Sequence, residues 1–210
     1  HIDFKALAIH RRQNTFIPKA DDIFHEGDLV YVITKPHAIK ELMELSGKTK
    51  FNINNVMIVG GGRIGKMTAK RLENDLNIKI IEQDKERSFE LTNVLSNTLV
   101  VNADARNVDL LEDEGIKDMD AFIAVTENTE TNILTCLQAK SFGVKRTIAM
   151  VENIDYIDIS QNIGIDTIIN KKLIAASYMV RYTLGGNVSS LKCLSGIDAD
   201  IVEFVVRDGA

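Results

Sequence analysis

From residue 55 to residue 184 the sequence alternates short runs of apolar, β-branched residues with longer amphipathic stretches. The apolar runs, at 56–59, 78–82, 99–102, 121–125, 146–151 and 167–169, are of strand length. Helical patterns fall between them. The first covers 64–76, with Met67, Leu72 and Leu76 among its apolar positions, and the second covers roughly 85–95. A short third at 108–114 is stopped by Gly115, a long one at 128–142 has Gly143 just past its end, and another at 154–162 has Gly164 beyond it. The last helix, 171–184, ends at Gly185 and Gly186. Strand and helix in regular alternation predict an α/β fold, a Rossmann-like doubly wound parallel sheet.

The flanks read differently. Residues 4–10 alternate, Gln13 and Asn14 supply turn chemistry, and 15–17 resume an extended pattern before Pro18. Glu26, Gly27 and Asp28 make a turn into a strand at 29–34. Pro36 then starts an amphipathic helix through Ile39, Leu42, Met43 and Leu45, closed by Gly47. This is a small β-β-β-α unit with too few apolar residues for a core of its own, and residues 49–54 are the expected linker. At the other end, 199–207 alternates Ile201, Glu203, Val205 and Arg207 against Val202, Phe204 and Val206, as a strand does. Both ends read as cut, so the sequence is expected to be an excerpt from a longer protein with repeated domains.

Composition narrows the function. The 210 residues are 45% hydrophobic and 26% charged, the balance of a globular protein. A formal net charge of −5 argues against nucleic acid as a partner. No apolar run is long enough to span a bilayer and the N-terminus lacks a signal-peptide pattern, which predicts a cytoplasmic protein. Cys136 and Cys193 form no CxxC and read as plain thiols. His1, His10, His25 and His37 share no metal-ligand spacing. Tyr31 and Lys35 have the spacing of a reductase pair, but on a strand their side chains stand roughly 13 Å apart.

The candidate chemistry lies where the first parallel strand meets its helix, in the sequence GGGRIG. Gly60 permits a tight turn, Gly61 follows it, Gly62 lets a pyrophosphate approach the backbone, and Gly65 lets the helix lie close to the strand. The N–H groups at the helix start, at Arg63 and Ile64, would face the phosphates, and Arg63 is itself a candidate phosphate contact. Glu82, 17 positions after Gly65, ends the second strand, where a carboxylate accepts from a ribose 2′-hydroxyl and repels a 2′-phosphate. That predicts NAD(H) or another adenosine nucleotide and not NADP(H). Asp84 competes for this role but reads better as the cap of the next helix. Asp104 and Ala105 after the third strand, and Thr126 and Glu127 after the fourth, border the same crevice. Thr126 or Asn128 also suits a helix cap.

Four stretches in order, GGGRIG, IIEQD, NADAR and AVTENTETN, resemble the RCK-domain family (regulators of potassium conductance), to which the TrkA subunits of Trk potassium uptake systems belong. The resemblance covers essentially the whole sequence. It implies a non-catalytic regulatory subunit at the inner face of the cell membrane. Such a subunit binds NAD(H), or ATP or ADP at the same site, and gates a membrane-embedded potassium transporter subunit. It also implies a homo-oligomer, dimer or tetramer, gripped through a crossover helix at 171–184 whose apolar face holds Ile174, Ala175, Tyr178 and Met179. Residues 1–48 resemble the end of a TrkA-C-like small α+β domain, with Ile17, Pro18 and the run Gly27 to Val30 matching its signature. Residues 55–170 would be the nucleotide domain, 171–190 the crossover helix and linker, and 191–210 the start of another TrkA-C-like domain. Asn102 replaces a family glycine, Arg106 stands where a polar residue is common, and Met150 occupies a position where some members carry arginine toward the cofactor. The rival reading is an NAD-dependent dehydrogenase, which would need a substrate domain with a general acid or base. A scaffold that binds nothing is the third.

Overall fold

The computed structural model describes residues 4–12, 14–45 and 52–183, together with the backbone of residues 188–193 and 200–204. The first strands are β1 (Phe4–Arg11), β2 (Asn14–Phe16) and β3 (Leu29–Thr34), an antiparallel sheet in the order β2-β1-β3. Ile9 is fully buried and Ala8 nearly so. Asp28 closes the turn before β3: its carboxylate accepts from His25 N–H at 2.9 Å and takes the Arg11 guanidinium in two bonds of 2.8 and 2.7 Å. A 3-10 turn at Pro36–Ala38 leads into α1 (Ile39–Leu45). Gly47, read as the end of that helix, lies outside the described residues.

The strands and helices that follow are β4 (Asn55–Val59), α2 (Arg63–Leu72), β5 (Asn77–Glu82), α3 (Lys85–Val94), β6 (Thr98–Asn102), α4 (Val108–Asp113), β7 (Ala121–Ala124), α5 (Thr129–Ser141), β8 (Arg146–Met150), α6 (Asp155–Asn162), β9 (Thr167–Ile169) and α7 (Lys171–Thr183). The six strands pair in parallel in the order β6-β5-β4-β7-β8-β9, the doubly wound α/β sheet expected from the alternation. Successive strand residues serve opposite layers. Val56, Ile58, Ile78 and Ile80 pack with Ala69, Leu91 and Leu95 beneath α2 and α3. Met57, Val59, Phe122 and Ala149 pack with Leu111, Cys136 and Ala139 beneath α4 and α5. The order reverses between β4 and β7, so the loops after these two strands lead to helices on opposite faces and leave a crevice at their carboxyl ends.

Two departures from the sequence reading have plain causes. Helix α2 buries Gly65 and Ala69 and packs Ile64 and Leu72 on the core. Met67 sits two residues from Gly65, roughly 200° around the helix, and is 63% exposed. The helix also stops at Leu72 and not at residue 76, where the Glu73 side chain reaches across to the next connection. Its carboxylate accepts from Ser96 N–H, Asn97 N–H and the Thr98 hydroxyl, each at 3.0 Å, and from Lys70. The backbone bond from Asn97 and the other donors, Lys70 among them, pull this carboxyl from an ordinary 4.5 down to about 2. A lowered native pKa gives stability that is present above the unfolded value and fades as pH falls from 4.5 through about 2. The stability gap between the wild type and Glu73→Gln is therefore expected to shrink across that window in urea titrations. A pH-independent gap would rule out the carboxylate as its source.

Residues 52–174 form one compact unit, and residues 1–51 with 175–210 form another. In the second, β10 (Val188–Cys193) pairs antiparallel with β11 (Asp200–Phe204). β11 falls within the strand read at 199–207, whereas β10 begins inside the stretch read as linker.

Candidate functional site

The loop from β4 into α2 is shaped by close backbone approach. Gly60 has φ +100°, and a Cβ there would lie 2.9 Å from Thr126 N and 3.0 Å from the Val125 carbonyl. Only glycine satisfies both demands. At Gly65 a Cβ would lie 1.9 Å from the Gly60 carbonyl oxygen, and at Gly61 one would lie 2.4 Å from the Leu91 side chain. Gly62 differs from all three. Its φ of −61° suits any residue, and a Cβ there would meet nothing within 4 Å. The first turn of α2 has no side-chain cap, whereas Asp84, Asn107 and Asn128 cap α3, α4 and α5. The helix start thus presents uncapped N–H groups beside the open side of Gly62, a cradle that fits a phosphate. Arg63 is exposed at the first position of this helix, and Ile64 packs on the core.

Glu82 ends β5 beneath the loop and is only 5% exposed. One carboxylate oxygen accepts from Gly61 N–H at 2.7 Å and the other from Asp84 N–H at 2.7 Å, while Arg87 Nη1 stands 3.5 Å from the first. Glu82 therefore braces the glycine loop, a role its position at a strand end did not announce. A carboxylate has about four acceptor sites, so one hydroxyl donor can still be added. Asp84 caps α3 through Arg87 N–H at 2.7 Å, as read from the sequence.

The remaining candidates divide. Asp104 is paired within its own loop to Arg106 at 2.6 Å, and that guanidinium holds its carboxyl below the usual range. Ala105 is buried, so its side chain belongs to the core beneath the sheet. Thr126 touches the Gly60 turn, but its polar atoms are engaged. Its N–H and hydroxyl donate to Asn132 Oδ1 at 2.9 and 2.6 Å, and its carbonyl accepts from Asn132 Nδ2 at 3.0 Å. Glu127 is exposed and lines an open cavity of about 600 Å³ together with Glu130, Glu152, Asp155 and Lys172. The glycine loop takes no part in that cavity.

The structure adds two residues to the site's framework. Asn132 is fully buried and its Nδ2 also donates to the Met150 carbonyl at 2.8 Å, tying the ends of β7 and β8 together. Asn102 donates to the carbonyls of Glu82 and Gln83 and to Ser88 Oγ, which fixes β6 against the turn after β5. Elsewhere, Cys136 is buried and burial pushes its thiol up to about 12, an unreactive core group. Among the described residues no cluster of His, Cys, Asp or Glu could hold a metal ion, and no helix is long and apolar enough to cross a membrane.

The chain is similar to curated potassium uptake proteins and to solved channel structures. TrkA homolog 2 of the Trk potassium uptake system of Methanosarcina mazei is 34% identical over 199 residues, which are 94% of this chain and 44% of that protein. The chain spans about half the length of the curated relatives it matches. The GsuK channel bound to NAD superposes with a TM-score of 0.57 at 20% identity, over 85% of this chain and 32% of that one. GsuK bound to ADP gives 0.53 at 20% identity, over 70% and 42%. These two likenesses establish the shared fold. The TrkA-N domain family matches residues 56–171, more than half of the sequence, and the chain belongs to that family.

Proposed function

We propose that this chain is part of a non-catalytic regulator that senses NAD(H), or ATP or ADP, over the loop 60–65 and gates a membrane potassium uptake system. The observation that carries the reading is the contrast among the glycines. Gly60 and Gly65 are required by packing, while Gly62 leaves open space beside an uncapped helix start. A phosphate is the group this cradle suits, with the helix dipole behind it. The α2 N–H groups and Arg63 would hold the phosphates, and Glu82 would accept from a ribose hydroxyl. Asp104 and Thr126 would border the crevice, with Ala105 and Glu127 offering backbone at its rim. The relatives' Trk names and the NAD and ADP held by GsuK support this choice of ligand and partner.

Regulation requires the nucleotide to bind one arrangement of the assembly better than another. Because Glu82 holds Gly61 N–H, a ligand that engages this carboxylate also acts on the phosphate loop. The oligomer would be a dimer or tetramer assembled through α7, on which Ile174, Tyr178 and Met179 are exposed. It would act in the cytoplasm, at the inner face of the membrane, through a membrane-embedded transporter subunit.

Calorimetry with NADH, NAD, ATP and ADP tests the reading. At least one should bind, binding should disappear in Gly62→Val, and it should weaken about tenfold or more in Glu82→Ala, which loses a charged hydrogen-bond acceptor. A folded wild-type protein that binds none of the four would leave only a scaffold.

A further inference from the structure

A carboxylate at the end of the second strand of such a sheet disfavours a 2′-phosphate on the ribose. In this chain that carboxylate does not act alone. Arg87 Nη1 lies 3.5 Å from Glu82 Oε2, and the two side chains differ sharply in exposure, 45% for Arg87 against 6% for Glu82. Both Glu82 oxygens already accept short backbone bonds, from Gly61 and Asp84. The guanidinium thus leans over the carboxylate from the solvent side through one long contact. Its backbone is fixed, since Arg87 N–H donates to Asp84 Oδ1 at 2.7 Å in the first turn of α3. Guanidinium presents five donors in a planar fork suited to phosphate, and only Nη1 is turned to Glu82.

The charge at the ribose end of the crevice is accordingly that of an acid–base pair and not of a lone carboxylate. A 2′-hydroxyl would donate to Glu82. A 2′-phosphate would be pushed from Glu82 toward a fork that can bind it in bidentate fashion. Glu86 and Glu90 are exposed on the same helix, and the charge on Glu82 keeps the 2′-phosphate from being the better ligand.

We infer that Arg87 is a second specificity-determining residue of this site, and that it admits 2′-phosphorylated adenine nucleotides as a weaker ligand class beside those with a free 2′-hydroxyl. The inference rests on the nucleotide reading above and narrows the expectation that Glu82 alone excludes NADP(H).

The test is calorimetry of NADH and NADPH on wild type, Arg87→Ala and Arg87→Lys, with thermal melts to verify folding. Wild type should bind NADPH measurably but more weakly than NADH. In Arg87→Ala the ratio of NADPH to NADH affinity should fall about tenfold, the scale of one charge-assisted hydrogen bond. In Arg87→Lys, which keeps the charge without the fork, the ratio should fall less. A ratio unchanged in Arg87→Ala, or wild type that binds NADH and shows no heat with NADPH, would overturn the inference and leave the nucleotide reading standing. Wild type that binds none of NADH, NADPH, NAD, ATP and ADP would overturn both.

Discussion

Alanine at Gly65 is expected to destabilise the parallel-sheet unit by about 3 kcal/mol or more, at the top of the usual range for overpacking. The added methyl group would sit 1.9 Å from the Gly60 carbonyl oxygen and 3.1 Å from its carbon. Neither atom can recoil. Gly60 N–H is tied to the Ile81 carbonyl at 2.9 Å, and the Gly60 Cα already faces the backbone of Val125 and Thr126. Relief therefore requires α2 to lift from the sheet, which uncovers Ala69 and loosens its packing on Ile58. Alanine at Gly62 is the matched control. It has open space and an ordinary φ, so its effect on stability should stay within about 0.5 kcal/mol. Urea denaturation of the two variants measures the difference. Equal midpoints would show that the strand and helix do not approach as closely as the structure has them.

The same contrast explains what the sequence could disclose. The parallel sheet was legible because each strand is a short apolar run and each helix carries local stop signals, and both are properties of neighbouring residues. The glycine loop was legible because a fixed backbone geometry demands fixed spacings. Glu73 was not, since its partners Ser96, Asn97 and Thr98 lie more than twenty residues away, and reading it as one more helical position was the local choice. Met67 failed for a related reason. Its apolar character fitted the helix, but the buried stripe was set by the small residues Gly65 and Ala69, which let α2 approach the sheet. Glu82 was placed correctly at its strand end, yet its bond to Gly61 N–H depends on how the loop folds back. Thr126 and Asn128 were both candidate caps, and the structure gives the cap to Asn128, whose side chain accepts from Thr131 N–H at 2.6 Å. Thr126 is occupied by Asn132 instead.

That occupation makes Asn132 the most sensitive side chain on the β7 side of the crevice. Asn132→Asp changes one group, yet it turns a donor into an acceptor facing the carbonyls of Thr126 and Met150, now bonded at 3.0 and 2.8 Å. The residue is fully buried, so the ionised form would also place a charge in the core, held only by the two Thr126 donors at Oδ1. A loss of about 3 kcal/mol at neutral pH is expected, the low end of the cost of an uncompensated buried charge, because the Thr126 donors remain. Burial and the two carbonyls favour the protonated acid, which can donate to one of them, and together outweigh the two Thr126 donors that favour the ionised form, so the folded pKa is expected above the ordinary value near 3.9. A raised folded pKa means that the favourable state is complete below the unfolded value and is lost as pH climbs through the folded one. The deficit against wild type should therefore be smallest near pH 4 and grow toward pH 7, the same direction as for Glu73→Gln but over a higher pH range. Asn132→Ala separates charge from lost bonds, since its deficit should stay constant over the same range. Denaturation midpoints of the three proteins at several pH values decide it. Parallel curves for Asn132→Asp and Asn132→Ala would mean that water reaches the β7–β8 junction and that Asn132 does not seal it.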